Sequence, residues 1–432
     1  MIVRVPGDKS LTQRALILSG LAEGRSRLGG LLHGGDAAST AGALRALGVD
    51  VPAIPEDGGD VWVRGVGLSG LAVPDAPLDL GNSGTGARLL LGVLAGAPGR
   101  RVVTGDPSLR RRPMGRVTTP LGAMGAGFRE LGEPSRLPLQ VSGTQPLRPL
   151  QWDSPVASAQ VKSALLLAGL TGHAFVLLTE PRRSRDHTER LLTVMGARVV
   201  GHARSSGWSV ELRDPPKTLR PLDFRVPGDI SSAAFPLALA ALGGSADGVE
   251  VPDVGLNPTR TAFLDVLRRM GARVDVEPDG DGGGGAGEPS GTVGVTAGAL
   301  RATDVGAAEV PGLIDELPLV AVLGARAAGV TRITGAGELR HKESDRIAAL
   351  VENLQALGIE AEELDDGLTV QGTDAPLVGR VRTHGDHRIA MAFGVLGALA
   401  GNRITVDDPG AASVSFPGFW TMLDTVVQRR EK

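Results

Sequence analysis

The chain has 432 residues, a formal net charge of −3 at pH 7 and no cysteine. The length indicates two domains, the missing cysteines exclude disulfides and thiolate chemistry, and the charge argues against a broad nucleic-acid-binding surface. Apolar runs such as residues 164–170 fall well short of the roughly 20 residues that cross a bilayer, and no secretory signal pattern is visible. We therefore expect a cytoplasmic protein with no membrane or nucleic-acid partner.

Six segments share one pattern, in which a polar N-cap residue precedes an apolar helical run. They begin at Asp8, Asn82, Ser158, Asp229, Asp315 and Asp386. The first and fourth follow the same tetrapeptide, Val-Pro-Gly-Asp, at residues 5–8 and 226–229. Second helices are predicted to end at Leu-Gly or Met-Gly pairs, because glycine favours the positive φ of the C′ position. These glycines are Gly48, Gly125, Gly196, Gly271 and Gly358, and no sixth copy is recognisable.

The repeats predict an α/β protein of six units, each with two helices and several strands, grouped as three units per domain. One domain would hold residues 1–6 and 228–432, and the other residues 7–227. The chain would then cross twice between the domains, and we expect a hinge at these crossovers, near residues 6 and 227. The glycine-rich segment 280–287 predicts a surface loop.

Lysine and arginine side chains concentrate at or near the predicted helix starts. They are Lys9, Arg14, Arg88, Arg112, Arg185, Lys342, Arg346 and Arg388. A helix start offers free N–H groups and the positive end of a dipole, which together with arginine suit phosphate and carboxylate. For any one of these arginines a solvated surface charge is the plainer interpretation, but recurrence at equivalent positions favours an anion pocket. Lys342 and Arg346 are four residues apart, so we expect them on one helix face.

Two carboxylates stand among these cations. Asp315 begins an otherwise apolar helical run, and Glu343 lies between Lys342 and Arg346. In an anion pocket both are candidates for proton transfer. Two alternatives remain open: Asp315 as a helix N-cap, and Glu343 as a member of a structural ion pair. No metal site is predicted, because His384 and His387 lack a third ligand at a suitable spacing.

Nine segments together resemble the 5-enolpyruvylshikimate-3-phosphate synthase family almost from end to end. They are PGDKSLTQR (6–14), GNSGTGARLL (81–90), RRPMG (111–115), SAQVKSALLLAGL (158–170), RDHTER (185–190), NPTR (257–260), IDELP (314–318), ELRHKESDR (338–346) and GDHRIAM (385–391). SAQVK, RDHTE and NPTR resemble the class II branch of that family.

The resemblance implies an inside-out α/β barrel of two similar domains, built from βαβαββ-type units, with the active site in the cleft between them. It implies transfer of the enolpyruvyl group of phosphoenolpyruvate to the 5-hydroxyl of shikimate 3-phosphate, with release of phosphate. This is a step of the shikimate pathway, which leads to chorismate and the aromatic amino acids. The resemblance implies no cofactor and no metal, and it suggests a monomer.

The resemblance also implies roles for residues that match the family's motifs. Shikimate 3-phosphate would contact Lys9, Ser10, Arg14, Ser158, Ala159, Gln160, Arg185, Asp315 and Lys342. Phosphoenolpyruvate would contact Lys9, Gly84, Arg112, Gln160, Arg346 and Arg388. Asp315 would take the proton of the 5-hydroxyl, and Glu343 would deliver a proton to the methylene carbon with support from Lys9.

Two positions depart from patterns of the family. Val414 stands where many members have lysine, and Gly84 stands where glyphosate-tolerant class II enzymes can carry alanine. Because Gly84 lacks that methyl group, we expect glyphosate to compete with phosphoenolpyruvate. Two other functions remain as alternatives. One is enolpyruvyl transfer to UDP-N-acetylglucosamine, although the usual cysteine-bearing loop of that enzyme cannot exist here. The other is a non-catalytic repeat protein with a binding cleft.

Overall fold

The structure is a computed structural model that describes residues 1–280 and 287–428. The chain divides into two compact units. The N-terminal unit comprises residues 9–226 with 287–288, and the C-terminal unit comprises residues 1–8, 227–280 and 289–428. The expected hinge at the two crossovers stays a prediction, and most of the glycine-rich loop expected at 280–287 lies outside the described residues. Within the described ranges, every helix is too short or too polar to span a bilayer.

The N-terminal unit contains three repeats. The first consists of α1 (Lys9–Leu21), β1 (Glu23–Gly29), α2 (Gly35–Ala46), β2 (Val61–Val66) and β3 (Leu78–Asp79). The second consists of α3 (Gly84–Ala95), β4 (Gly99–Thr104), α4 (Pro107–Arg111), α5 (Gly115–Ala123), β5 (Gly127–Glu130), β6 (Leu139–Gly143) and β7 (Leu150–Asp153). The third consists of α6 (Ala159–Thr171), β8 (Val176–Glu180), α7 (His187–Val194), β9 (Arg198–Arg204), β10 (Gly207–Arg213) and β11 (Asp223–Arg225).

The C-terminal unit also contains three repeats. The first consists of α8 (Ile230–Ala241), β12 (Val249–Gly255), α9 (Ala262–Met270), β13 (Arg273–Pro278), β14 (Ser290–Thr296) and β15 (Asp304–Val305). The second consists of α10 (Val310–Leu313), α11 (Leu317–Gly324), β16 (Val330–Ile333), a 3₁₀ turn (Gly337–His341), α12 (Arg346–Ala356), β17 (Ala361–Leu364), β18 (Gly367–Gln371) and β19 (Val378–Val381). The third consists of α13 (His387–Gly397), β20 (Arg403–Val406), a 3₁₀ turn (Pro409–Val414) and α14 (Phe419–Gln428).

The sheets interlock neighbouring repeats. In strand order they are β11-β1-β2, β3-β4-β6-β5 and β7-β8-β10-β9 in the N-terminal unit, and β12-β14-β13, β15-β16-β18-β17 and β19-β20 in the C-terminal unit. The last strand of one repeat lies parallel to the first strand of the next, as in β3–β4 and β7–β8. Since β11 pairs in the same way with β1, the three N-terminal repeats close into a ring.

Residues 1–3 take the corresponding place in the C-terminal unit, where they lie parallel to β12. The Val3 amide donates to the Glu250 carbonyl at 2.8 Å, and the Glu250 amide donates to the Met1 carbonyl at 2.8 Å. Ile2 and Glu250 form the parallel bridge between these bonds. The first residues of the chain therefore complete a sheet whose other strands lie more than 240 residues later.

The first long helix of each repeat lies inside its unit. These helices are α1, α3, α6, α8, α11 and α13, and they are buried along nearly their whole length. Helices that are apolar all round belong in a core, so the sheets lie outside them. This arrangement confirms the predicted inside-out α/β fold.

Local signals placed most helix ends correctly. The side chains of Ser158, Asp229 and Asp386 accept hydrogen bonds from the first turns of α6, α8 and α13. The cap of α3 is Ser83, one residue after the predicted Asn82. The five predicted terminal glycines, Gly48, Gly125, Gly196, Gly271 and Gly358, all have positive φ. The sixth second helix, missed in the sequence, is α14.

Candidate active site

In the N-terminal unit, the start of α3 gathers polar groups from three separate segments. The Nη1 atom of Arg88 donates to Gln160 Oε1 at 2.8 Å, and Gln160 Nε2 donates to Thr85 Oγ1 at 2.9 Å. Arg112 Nη2 donates to Asn82 Oδ1 at 2.7 Å. We call Asn82, Gly84, Arg88, Arg112 and Gln160 the α3 cluster. These bonds go to neutral oxygens, and they orient the two guanidinium groups.

Gly84, the first residue of α3, lies directly against both arginines. A Cβ atom on Gly84 would lie 2.9 Å from Arg112 Nη1 and 3.0 Å from Arg88 Nη1. Such distances are shorter than an ordinary contact, so a side chain here would displace a guanidinium group. The structure therefore brings Gly84, Arg112 and Gln160 together, and their contact with phosphoenolpyruvate stays a prediction. It adds Arg88, which the sequence marked only as a cation near a helix start.

Residues of α1 contribute two cations in different settings. Lys9 Nζ lies 3.5 Å from Asp36 Oδ2, and its side chain is partly exposed. Arg14 is buried, and it donates to Thr188 Oγ1 at 2.8 Å and to Ser163 Oγ at 3.1 Å. These bonds tie α1 to α6 and α7. The expected contacts of Lys9 and Arg14 with substrate stay predictions, as does that of Ser10, which is half-buried.

The segment Ser158–Gln160 forms the start of α6. Ser158 Oγ accepts a hydrogen bond from the Val161 amide at 3.4 Å, and residues 158–160 are all half-buried. A helix start of this kind presents free N–H groups to an anion. Ala159 is the first residue of the helix, so its backbone takes part in this arrangement whatever its side chain.

The fully buried Lys162 fixes the chain segment that directly precedes Arg185. Its Nζ atom lies 3.1 Å from Glu180 Oε1 and 2.8 Å from Glu189 Oε1, and it donates to the Ser184 carbonyl at 3.1 Å. Burial alone would lower the pKa of Lys162, but the two carboxylates outweigh it and raise the pKa above its ordinary value. Arg185 follows Ser184 and is half-buried.

In the C-terminal unit, three carboxylates contact Arg346, which is only 1% exposed. Arg346 Nε lies 2.8 Å from Asp386 Oδ2, Nη2 lies 2.7 Å from Glu343 Oε2, and Nη1 lies 3.5 Å from Asp315 Oδ1. Lys342 Nζ also lies 3.5 Å from Asp315 Oδ1. We call Asp315, Lys342, Glu343, Arg346 and Asp386 the carboxylate cluster.

The electrostatics of this cluster are dominated by Arg346 and Asp386. Burial by itself would raise the pKa of Asp386, but the adjacent Arg346 guanidinium more than offsets this effect and holds that pKa below its usual value. The same carboxylates, Asp386 and Glu343 first among them, raise the pKa of Arg346 against the opposing effect of burial. Asp315 and Glu343 are 17% and 19% exposed, so solvent or a ligand can reach them.

Two expectations about this region were wrong. Lys342 and Arg346 do not share a helix face, because Lys342 directly follows a 3₁₀ turn and α12 begins only at Arg346. The physical reason is Asp345, whose side chain caps α12 by accepting from the Ala348 amide at 3.1 Å. Asp315 is not a helix cap either, since Glu316 occupies that position and Asp315 faces the two cations. The ion pair considered for Glu343 is confirmed.

Arg388 lies in the first turn of α13 and is connected to the same cluster through Asp386. Its amide donates to Asp386 Oδ1 at 2.8 Å. The buried guanidinium lies 5.9 Å from the ring centre of Phe235, and its Nη1 atom is 3.5 Å from the Ser231 carbonyl. Val414 ends the turn Pro409–Val414 and brings no donor in its side chain.

The two clusters differ in the chemistry that their side chains can support. The α3 cluster and the start of α6 offer cations and N–H donors, which suit phosphate and carboxylate groups. The carboxylate cluster adds two accessible acids beside cations, which suits proton transfer to and from a bound anion.

Comparisons with known proteins agree on one family. Residues 1–423 match the sequence profile described as EPSP synthase (3-phosphoshikimate 1-carboxyvinyltransferase). The 3-phosphoshikimate 1-carboxyvinyltransferase of Alkalilimnicola ehrlichii is 48% identical over 96% of this chain and 91% of its own length. That of Acidiphilium cryptum is 47% identical over 98% of this chain and 93% of its own length.

Solved structures show the same fold. The EPSP synthase of Acinetobacter baumannii superposes with a TM-score of 0.83 at 38% identity, covering 99% of this chain and 95% of that one. The enolpyruvyl transferase NikO of Streptomyces tendae superposes with a TM-score of 0.74 over 99% of this chain and 94% of its own. At 20% identity the likeness to NikO concerns the fold alone. From its sequence, its fold and its close relatives, the chain belongs to the EPSP synthase family.

Proposed function

We propose that this protein transfers the enolpyruvyl group of phosphoenolpyruvate to the 5-hydroxyl of shikimate 3-phosphate and releases phosphate. The observation that carries this proposal is the placement of two partly exposed carboxylates, Asp315 and Glu343, against the same buried Arg346. Relatives that are about half identical over almost the whole chain and are named for this reaction support it. The product belongs to the shikimate pathway of aromatic amino acid biosynthesis.

The addition step needs two proton transfers, and the two carboxylates supply them. The 5-hydroxyl oxygen attacks C2 of phosphoenolpyruvate while Asp315 accepts its proton, and Glu343 delivers a proton to C3, with Lys9 in support. The Glu343 carboxylate then takes a proton back from the new methyl group of the tetrahedral intermediate, and the C2–O bond to phosphate breaks as phosphate takes up the proton that Asp315 had accepted. Cations that stabilise charge on the carboxylate and phosphate of this intermediate contribute to the rate.

Residues of both units take part in binding. Shikimate 3-phosphate contacts Lys9, Ser10, Arg14, Ser158, Ala159, Gln160, Arg185, Asp315 and Lys342. Phosphoenolpyruvate contacts Lys9, Gly84, Arg112, Gln160, Arg346 and Arg388. The start of α6 and the α3 cluster support these assignments in one unit, and the carboxylate cluster with Arg388 supports them in the other.

The direct test is phosphate release from phosphoenolpyruvate by the purified protein, with and without shikimate 3-phosphate. We expect release that strictly requires shikimate 3-phosphate. Release with UDP-N-acetylglucosamine instead would assign the chain to the other enolpyruvyl transfer reaction. No phosphate release with either acceptor would contradict an enzymatic function and favour a non-catalytic binding protein.

We further propose that the enzyme works as a cytoplasmic monomer without a metal or an organic cofactor. Turnover should survive dialysis against EDTA, and light scattering should give the mass of one chain. A loss of activity that Mg²⁺ or another divalent ion restores would overturn the metal-free reaction.

A further inference from the structure

No step of the proposed reaction uses the segment Asn257–Arg260, although its sequence is part of the resemblance. Asn257 Oδ1 accepts from the Thr259 amide at 2.9 Å and from Thr259 Oγ1 at 2.7 Å. The Arg260 amide donates back to the Asn257 carbonyl at 2.8 Å. This tight turn directs Arg260 into the C-terminal unit, where the residue is 2% exposed.

The guanidinium group of Arg260 joins the two copies of Val-Pro-Gly-Asp. Its Nη1 atom lies 3.0 Å from Asp8 Oδ2, and its Nη2 atom lies 3.3 Å from Asp229 Oδ1. Both aspartates are buried. Burial raises the pKa of Asp229, and the neighbouring Asp8 carboxylate raises it further. A cation at this point is therefore needed to hold two like charges in a dry environment.

A third hydrogen bond of Arg260 connects it to residues beside the proposed site. Arg260 Nη2 donates to Ser231 Oγ at 2.8 Å, and Ser231 Oγ donates to Glu316 Oε1. The carbonyl of Ser231 accepts from Arg388 Nη1. Glu316 is buried and directly follows Asp315. Ser231 is thus bonded to Arg260, to the guanidinium group of Arg388 and to Glu316, the residue that directly follows Asp315.

We propose that Arg260 is a positioning residue for the reaction, which acts through Ser231 on Arg388 and through Ser231 and Glu316 on Asp315. This inference rests on the proposed function, since it assumes that Arg388 binds phosphoenolpyruvate and that Asp315 takes the hydroxyl proton. An arginine suits the task because its planar fork bonds Asp8, Asp229 and Ser231 at once. An ammonium group has the charge but not this fixed geometry.

The test compares Arg260→Met and Arg260→Lys with wild type, by measuring kcat and the KM for phosphoenolpyruvate at saturating shikimate 3-phosphate. Because a displacement of about 1 Å at a site can cost on the order of 100-fold, we expect Arg260→Met to lower kcat/KM by about that factor. We expect part of the loss as a KM increase of about 10-fold, since Arg388 would shift. Arg260→Lys should recover part of both changes because it keeps the charge.

Arg101→Met is a matched control. Arg101 is equally buried but lies in the N-terminal unit, where it donates to the carbonyls of Leu71, Ala72 and Ala97. Its loss should reduce thermal stability, and with it the active fraction, while the KM for phosphoenolpyruvate stays at the wild-type value. A merely structural role of Arg260 would give the same result as this control.

Two outcomes would overturn the inference. One is an Arg260→Met enzyme whose kcat and KM per folded molecule equal those of wild type. The other is a fall in kcat alone, matching that of Arg101→Met. If Arg260→Met does not fold, Ser231→Ala removes only the shared hydroxyl and should raise the same KM by a smaller factor; an unchanged KM would again overturn the inference. An inactive wild type would instead refute the proposed function, so the two failures are distinguishable.

Discussion

The α3 cluster and the carboxylate cluster hold their arginines by different means. In the α3 cluster, Arg88 and Arg112 are oriented by the amide oxygens of Gln160 and Asn82. In the carboxylate cluster, Arg346 is held by carboxylate side chains, and Asp386 is the one that it contacts most fully.

This difference separates binding from proton transfer. Amide oxygens orient an arginine without bringing a second charge, whereas an arginine beside carboxylates stabilises their charged form. Substitutions in the carboxylate cluster should therefore affect the chemical step, and substitutions in the α3 cluster should affect mainly the binding of phosphoenolpyruvate.

The largest effect is expected from removing the proton-transfer groups. Asp315→Asn and Glu343→Gln keep the shape of each side chain but cannot exchange a proton in the same way, so each should lower kcat by about 10²–10⁴-fold. Glu352→Gln is the control, because Glu352 is exposed and pairs with Arg382 and His384. If both active-site variants keep wild-type turnover in the phosphate-release assay, the assigned roles are wrong.

A large effect on stability is expected from Asp386→Asn. The amide can still cap α13, but it leaves buried Arg346 without its main ionic partner, which should cost about 3 kcal/mol of unfolding free energy at neutral pH. Because the pKa of Asp386 is lowered in the folded protein, its contribution is present above the unfolded-state pKa of about 3.9 and is lost as the pH falls through the folded-state pKa.

Urea unfolding of Asp386→Asn and wild type between pH 3 and 7 would test this effect. The two stability curves should lie apart at neutral pH and converge below about pH 4. Parallel curves over the whole range would show that Asp386 does not stabilise the cluster through its charge.

A smaller effect, on binding, is expected in the α3 cluster. Arg112→Lys keeps a positive charge but loses the planar fork that bonds Asn82, so the KM for phosphoenolpyruvate should rise about 10-fold while kcat changes little. The neighbouring Arg111→Lys, at an exposed position, should leave both constants unchanged. A fall in kcat at unchanged KM would place Arg112 in the chemical step and remove the contrast between the two clusters.

The smallest effect is expected from Gly84→Ala. The new methyl group would displace the guanidinium groups of Arg112 and Arg88 by a few tenths of an ångström. We expect wild type to be inhibited by glyphosate in competition with phosphoenolpyruvate, and the variant to have a higher inhibition constant with a modest rise in KM. Unchanged inhibition would mean that both arginines move aside freely.

The sequence predicted elements that depend on neighbouring residues. Ser158, Asp229 and Asp386 cap their helices because a short polar side chain can bond its own next turn. Glycines such as Gly196 end helices because of their backbone freedom. The same logic failed at Lys342, where the spacing fitted one helix but the stronger cap, Asp345, moved the helix start.

Local sequence patterns did not predict hydrogen bonds between side chains that lie far apart in the chain. Nothing near Arg88 indicates that it bonds Gln160, and nothing near Arg260 indicates that it bonds Asp8, because the chain separates each pair widely. The acceptors of buried cations are chosen by tertiary packing. The resemblance named Gln160 as a substrate ligand but gave no indication of the partner that orients it.

The pairing of residues 1–3 with β12 has a consequence for how the protein is made. Met1 and Val3 leave the ribosome well before their partner Glu250, which is translated only after most of the N-terminal unit. At synthesis rates of about 5–20 residues per second, these residues wait roughly 10–50 s for their sheet. During this interval α1, which begins at Lys9, can pack with α3 and α6. Residues 1–3 are thus among the last to settle, and a substitution that disrupts their pairing would interfere with completion of the C-terminal unit rather than of the N-terminal one.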